Sequence, residues 1–139
     1  MNIYFSCSIT GGRNDQAVYQ HIVQFLLDAK HQVPTAHLAS QDLAQLETNL
    51  DPEEVFVRDI NWVRECDVLI AEVSTPSHGV GYEVAEAVNH RKPVLCLFQH
   101  GKSVSKIITG NNSPQVFVHA YSDQEQAAQI INDFLKNIN

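Results

Sequence analysis

Residues 67–73 read Asp-Val-Leu-Ile-Ala-Glu-Val, an almost unbroken apolar run that restricts the possible folds more than any other part of the chain. A strand with apolar side chains on both faces must be covered on both, as in the middle of a parallel sheet flanked by helices. Pro93 to Phe98 repeats the pattern, Ile3 to Cys7 opens the chain with a third such run, and Gln115 to Ala120 supplies a fourth. Gln32 to Ala39 reads as a weaker fifth strand, since Pro34 inside it argues for an edge or an irregular extended piece.

Helical periods separate these runs. Val18, Ile22, Phe25, Leu26 and Ala29 predict one face of a helix from about Asp15 to Lys30. Asp51-Pro52-Glu53-Glu54 is a helix start, with a capping carboxylate, proline in the first turn and acids against the dipole; that helix should run to about Cys66. Ser74 to Gly81 reads as a loop, Tyr82 to His90 as a helix, and Val104 to Thr109 as a short helix. Ser122-Asp123-Gln124-Glu125 has capping-box spacing and opens a last helix with Ala127, Ile130, Ile131, Phe134 and Leu135 facing inward. Gln41 to Leu50 is polar, the best candidate for a mobile loop. The alternation predicts an α/β fold: one Rossmann/flavodoxin-like domain over residues 1–139, a three-layer sandwich around a five-stranded parallel sheet.

A chain of 139 residues is long enough for one core and short for two. Its net charge of -7 repels a nucleic acid polymer on average, although local backbone donors can still bind a small anionic metabolite. Cys7, Cys66 and Cys96 are an odd number in apolar contexts, which reads as buried thiols in a reducing compartment and so a cytoplasmic location. There is no Cys-x-x-Cys or His-Glu-x-x-His, and the seven histidines are scattered, so no metal or other cofactor is expected. No charged leader, long apolar run or membrane span is apparent.

In open parallel sheets ligands bind at the carboxyl ends of the strands. Three loops expected there are Ser8-Ile9-Thr10-Gly11-Gly12-Arg13, Ser74 to Gly81, and Gln99 to Ser105. Glycines and hydroxyls just before a helix offer N–H groups to an anion, though glycines at such points also serve simply as turn residues. Glu83 is expected in the first turn of the helix after the second loop, where the dipole favours its ionised form. Asp59 interrupts the apolar stripe Val55, Trp62 and Cys66, a placement that is costly for a carboxylate unless it is paired or at the stripe's margin. Two carboxylates in different environments suit glycoside chemistry, one as nucleophile and one able to hold a proton. Tyr4 reads as a core residue, or as one whose hydroxyl points towards the site, Trp62 as core, His37 as a strand-end cap or a pocket wall, and Arg13 as an anion contact or a surface charge.

Three segments, residues 4–13, Asp59-Ile60-Asn61-Trp62, and residues 71–83 with their Pro76-Ser77-His78-Gly79-Val80-Gly81-Tyr82-Glu83 stretch, closely resemble the 2'-deoxynucleoside 5'-phosphate N-hydrolases of the nucleoside 2-deoxyribosyltransferase superfamily. The likeness continues through Cys96-Leu97-Phe98 and Ser105. It implies that Glu83 is the nucleophile, that Tyr4 orients it, and that Asp59 contacts the sugar and assists departure of the base. It implies phosphate contacts from Ser77 and Gly79, and from Ser105 lent by the second subunit of a homodimer. Ile9, His37 and Val55 fall where the family lines its nucleobase pocket, and Ser8, Gly11, Gly12 and Arg13 belong to the matching substrate loop. Where this chain has Thr10, the best-known members carry a basic residue.

The activity so implied is hydrolysis of the N-glycosidic bond of a deoxynucleoside monophosphate through a glycosyl-enzyme. Three alternatives stay open at this point: a deoxyribosyltransferase passing the sugar to a second base, an N-hydrolase of a modified ribonucleotide, and a non-catalytic nucleotide sensor on the same fold.

Overall fold

A computed structural model describes residues 1–9, 15–40 and 50–138. Four strands form: β1 (Ile3–Ser6), β2 (Val68–Glu72), β3 (Val94–Gln99) and β4 (Val116–Tyr121). They are parallel and lie in the order β1-β2-β3-β4. Their connections contain α1 (Gln16–Asp28), α2 (Pro52–Glu65), α3 (His78–Asn89) and the short α4 (Lys106–Thr109), and α5 (Gln124–Asn137) follows β4.

The expected fifth strand over Gln32–Ala39 is not there. Gln32 makes one parallel bridge beside Asn2, and the chain then turns into a 3-10 helix at Ala36–Ala39. Pro34 has no N–H to give a ladder. The outer edge of β1 is satisfied in another way: Ile3 N–H donates to the Gln32 carbonyl at 2.8 Å, and Phe5 N–H donates to the buried Thr35 hydroxyl at 3.0 Å. A side chain thus stands in for the missing strand, and among the described residues the sheet has four strands rather than five.

Side chains alternate across the strands and build a core on each face. On one side Ile3, Phe5, Val68, Ile70, Leu95 and Leu97 pack with Tyr19, Ile22 and Leu26 of α1 and with Ala127, Ile131 and Leu135 of α5. On the other, Tyr4, Leu69, Ala71, Val94 and Cys96 pack with Val63 of α2 and Val80, Val84 and Ala87 of α3. Each fully buried aliphatic side chain contributes about 1.5–3 kcal/mol. Because β2 carries apolar residues on both faces, it demands helices on both, and the three-layer arrangement follows.

The helix ends follow local chemistry, with two shifts from expectation. Asp51 caps α2 as anticipated, its carboxylate accepting from Glu53 N–H at 2.8 Å while Glu54 reaches back to Asp51 N–H. On α5 the cap is Asp123 rather than Ser122; Asp123 accepts from Gln126 N–H at 2.8 Å, and Gln126 accepts from Ser122 N–H at 2.7 Å. The α3 helix starts at His78, four residues before the expected Tyr82, because Ser77 is an efficient N-cap and neither Gly79 nor Gly81 stops a capped turn. Glu83 therefore lies in the second turn, beyond the strongest part of the dipole. No helix among the described residues is long and apolar enough to cross a membrane. The expected mobile loop over Gln41 to Leu50 falls, but for Leu50, outside the described residues.

Candidate active site

The second turn of α3 brings Glu83 over the carboxyl end of β1. Tyr4 and Ser6, two residues apart on that strand, share the face turned towards α3. Tyr4 OH donates to Glu83 Oε1 at 2.9 Å, and the Ser6 hydroxyl donates to Glu83 Oε2. Both strand residues are fully buried. Burial raises the Glu83 carboxyl to about 6, and the Asp59 charge adds to the rise, while the Ser6 and Tyr4 hydroxyls oppose it. Burial and the nearby Glu83 and Asp59 charges push the Tyr4 phenol upward, so it remains a donor. The carboxylate is ionised at neutral pH and oriented through both oxygens.

Asp59, on the margin of α2, is paired. Arg58 Nε donates to Asp59 Oδ1 at 2.8 Å, and the guanidinium lies 5.0 Å from the centre of the Trp62 ring. His37, from the 3-10 helix, meets Trp62 edge to face with ring centres 6.0 Å apart. Val55 is half-buried one turn before Asp59, and Ile9 is half-buried beyond β1. His37 and Trp62 make an aromatic surface beside a charge pair, suited to a planar heterocycle, whereas Ile9 packs against the core on the α1 side of the sheet.

Ser8 is fully buried, and its hydroxyl has no hydrogen-bond partner among the described residues. A buried unpaired hydroxyl calls for a partner, and a bound ligand can supply one. Thr10, Gly11, Gly12 and Arg13 lie outside the described residues. Ser77 caps α3, its hydroxyl accepting from Val80 N–H at 3.4 Å; the helix start thus presents N–H groups and a favourable dipole to an anion. Ser105 caps α4 in the same way, accepting from Ile107 N–H at 3.3 Å. Ser77 and Ser105 of one chain line a single cavity of about 560 Å³, together with Thr75, Pro76, Val104 and Ile108. Gly79 is exposed at its edge. Tyr4, Asp59 and Glu83 do not line this cavity, so α3 serves two places: its first turn the cavity, its second the carboxylate.

A second carboxylate centre occupies the opposite face of the sheet. Glu72, fully buried at the end of β2, accepts from Tyr121 OH at 2.9 Å and from the Ser74 hydroxyl. The Ser74 oxygen in turn accepts from Gln99 N–H at 2.8 Å. Asp15 accepts from Gln99 Nε2 at 2.8 Å and from the Thr75 hydroxyl at 2.7 Å. This network ties the ends of β2, β3 and β4 to the start of α1 and holds the segment that leads into Ser77. Burial raises the Glu72 carboxyl, against the effect of its hydroxyl donors.

Among the expected catalytic residues the structure joins Tyr4 to Glu83 by a hydrogen bond and sets Asp59 within electrostatic reach of both. Reading the sequence did not single out Ser6, Arg58, or the Glu72 network. For Ser6 a signal existed: position i+2 from Tyr4 on a strand shares its face. No three His, Cys, Asp or Glu side chains among the described residues are grouped so as to hold a metal ion.

Known proteins resemble this chain along its whole length. A 5-hydroxymethyl-dUMP N-hydrolase of Tetraodon nigroviridis is 37% identical over 141 residues, covering 99% of both chains. A Methanosarcina mazei protein assigned by name to the 2'-deoxynucleoside 5'-phosphate N-hydrolases is 37% identical over 135 residues, covering 97% of this chain and 84% of its own. Among solved structures, a CMP N-glycosidase of Clostridium botulinum shares the fold with a TM-score of 0.72 at 17% identity, over 95% of this chain and 98% of that one. A 2-deoxyribosyltransferase of Bacillus psychrosaccharolyticus shares it at 0.59 and 18%, over 91% and 89%. The family model for nucleoside 2-deoxyribosyltransferases matches residues 3–127: the chain belongs to the nucleoside 2-deoxyribosyltransferase family.

Proposed function

We propose that this protein hydrolyses the N-glycosidic bond of 2'-deoxynucleoside 5'-monophosphates, giving a free nucleobase and 2-deoxyribose 5-phosphate. The observation that carries this reading is the Glu83 carboxylate, half-buried, ionisable near neutrality and held at both oxygens by Tyr4 and Ser6. The relatives named for N-hydrolysis of deoxynucleotides support the substrate class.

The reaction is a double displacement. A Glu83 oxygen attacks C1', the C1'–N bond breaks with its electron pair going to the base, and Asp59 or solvent supplies the proton the base needs. Water then adds to C1', its proton passing to the group that donated one in the first step, Asp59 or solvent, and the Glu83 carboxylate leaves. The His37 and Trp62 rings face the base, and Val55 and Ile9 are assigned to the same nucleobase pocket by the family likeness. The start of α3 at Ser77 and Gly79, with Ser8 and the Gly11-Gly12-Arg13 segment, binds sugar and phosphate.

The working form is a homodimer in which Ser105 of one subunit completes the phosphate site of the other. Ile107 beside Ser105 is 83% exposed, and Tyr82 on α3 is 56% exposed, an apolar surface that a second copy would cover. Cys7, Cys66 and Cys96 are all buried thiols, in keeping with a reducing, cytoplasmic setting.

The test is product analysis with each deoxynucleoside monophosphate, the matched nucleosides and the ribonucleotides. Base release confined to the deoxy monophosphates is expected. Base exchange between unphosphorylated nucleosides would make the protein a transferase, turnover of ribonucleotides alone a ribonucleotide hydrolase, and binding without turnover a sensor.

The pH dependence follows from Glu83. As the nucleophile it must be ionised, so kcat/KM is expected to rise with pH through about 6 and to fall about tenfold per pH unit below it. A phosphate monoester also titrates near 6. The acid limb is therefore assigned by repeating the profile in variants that move Glu83 and leave the substrate unchanged. A limb that stays fixed in all of them belongs to the phosphate.

A further inference from the structure

We infer that Ser6 is a positioning residue for the nucleophile, holding the second oxygen of Glu83 and easing release of the sugar from that carboxylate. The inference rests on the hydrolase reading and adds a residue to it.

The geometry starts from the strand. Tyr4 and Ser6 project from the same face of β1, about 7 Å apart along it. A carboxylate is much smaller than that spacing, so one donor must reach and the other must be short. The long phenol of Tyr4 reaches Oε1 and the short hydroxyl of Ser6 meets Oε2. With one oxygen held, the carboxylate could still swing about that contact; with two held on a rigid strand, it has one orientation. Ser6 is fully buried, so water does not compete for its hydroxyl.

The consequence for chemistry lies in charge. A hydroxyl donated to an ionised carboxylate is strong, and it weakens when that carboxylate becomes an ester. Glu83 passes between those two states twice in each turnover. Ser6 therefore favours the ionised nucleophile before attack. When water displaces the sugar and the electron pair returns to Glu83, the same donor stabilises the departing carboxylate. Without it Glu83 ionises at higher pH, and the glycosyl ester has a poorer leaving group.

The experiment compares the wild type with Ser6→Ala and Ser6→Cys; cysteine keeps a side chain of similar size and a weaker donor. Glu83 is titrated directly by carboxyl 13C NMR, and the deoxyribose-phosphate adduct on acid-quenched enzyme is measured by intact mass during turnover of a deoxynucleoside monophosphate. In Ser6→Ala the Glu83 titration is expected to move up by about one pH unit from its wild-type position near 6. The acid limb of kcat/KM should follow it, and the adduct should occupy a larger fraction of the enzyme. Ser6→Cys should fall between. A serine that merely fills space would lower the melting temperature and leave the titration and the adduct fraction alone. Coincident titrations in wild type and Ser6→Ala, with the wild type turning over, overturn the assignment. A wild type that releases no base overturns the hydrolase reading instead, and the NMR titration still decides whether Ser6 holds Glu83.

Discussion

Replacing Glu83 by glutamine is expected to lower base release by about a thousandfold or more, the scale on which loss of a catalytic group acts, while making the folded protein more stable at neutral pH. The two effects share one cause. Glutamine has nearly the shape of glutamate, and the Tyr4 and Ser6 hydroxyls can turn to donate to its oxygen and accept from its nitrogen. The site should keep its geometry and lose its nucleophile. Stability moves the other way because burial raises the carboxyl from an ordinary 4.5 to about 6. Below about 4.5 the group is protonated in both folded and unfolded chains and carries no penalty. As pH rises through 6 the folded protein must ionise a buried group that the unfolded chain ionises more easily, and stability is lost. The gap corresponds to roughly 2 kcal/mol, or several degrees of melting temperature. Thermal unfolding of both proteins at pH 7.5 and pH 4 checks it. Glu83→Gln should melt higher at pH 7.5, and its advantage should shrink towards acid pH. An inactive variant that is also less stable at pH 7.5 would show that Glu83 is mainly a structural contact.

Asp59→Asn is expected to lower kcat/KM by about a hundredfold to a thousandfold, the range of lost acid–base assistance, and to move the acid limb to lower pH. The first effect follows from the role proposed for it, contact with the sugar and help for the departing base. The second is electrostatic. Burial is the main reason that Glu83 is raised, but the negative charge of Asp59 adds to it. Asparagine removes that charge and keeps the shape, so Glu83 ionises more easily. The Ser6→Ala variant should move the same limb in the opposite direction. Two substitutions on different elements, one on α2 and one on β1, thus bracket the nucleophile from both sides. Rate profiles of the two variants against the wild type read both shifts together. If Asp59→Asn slows turnover and leaves the limb in place, the limb belongs to the substrate phosphate and not to Glu83. If it moves the limb with no loss of rate at high pH, Asp59 acts on Glu83 through charge alone.

Much of this architecture is local and was therefore readable in the order of residues. The double-faced apolar runs at 68–72 and 94–99 require a parallel sheet covered on both sides, and the Asp51 capping box requires a helix where α2 is found. The pattern around Pro76 to Glu83 carries the family likeness, and with it the role expected of Glu83. These features depend on neighbours within a turn or a strand, where spacing and side-chain chemistry suffice. Other features depend on groups far apart in the chain. Thr35 replaces a strand only because Phe5, thirty residues away, lies beside it. The early start of α3 is by contrast local, a Ser77 cap on Val80 three residues on that outweighs the glycine content of the first turn. Arg58 pairs with its neighbour Asp59 while lying over Trp62, an arrangement set by packing on α2 rather than by adjacency. Ser6 meets Glu83 across 77 residues of sequence, and Glu72 meets Tyr121 across 49. By itself the sequence determined the layers, most of the helix and strand positions and the residue proposed as nucleophile, because periodicity, capping and motif spacing are short-range. Only the tertiary structure decided the number of strands and the partners of each buried carboxylate, because those rest on contacts that exist only once the sheet has closed.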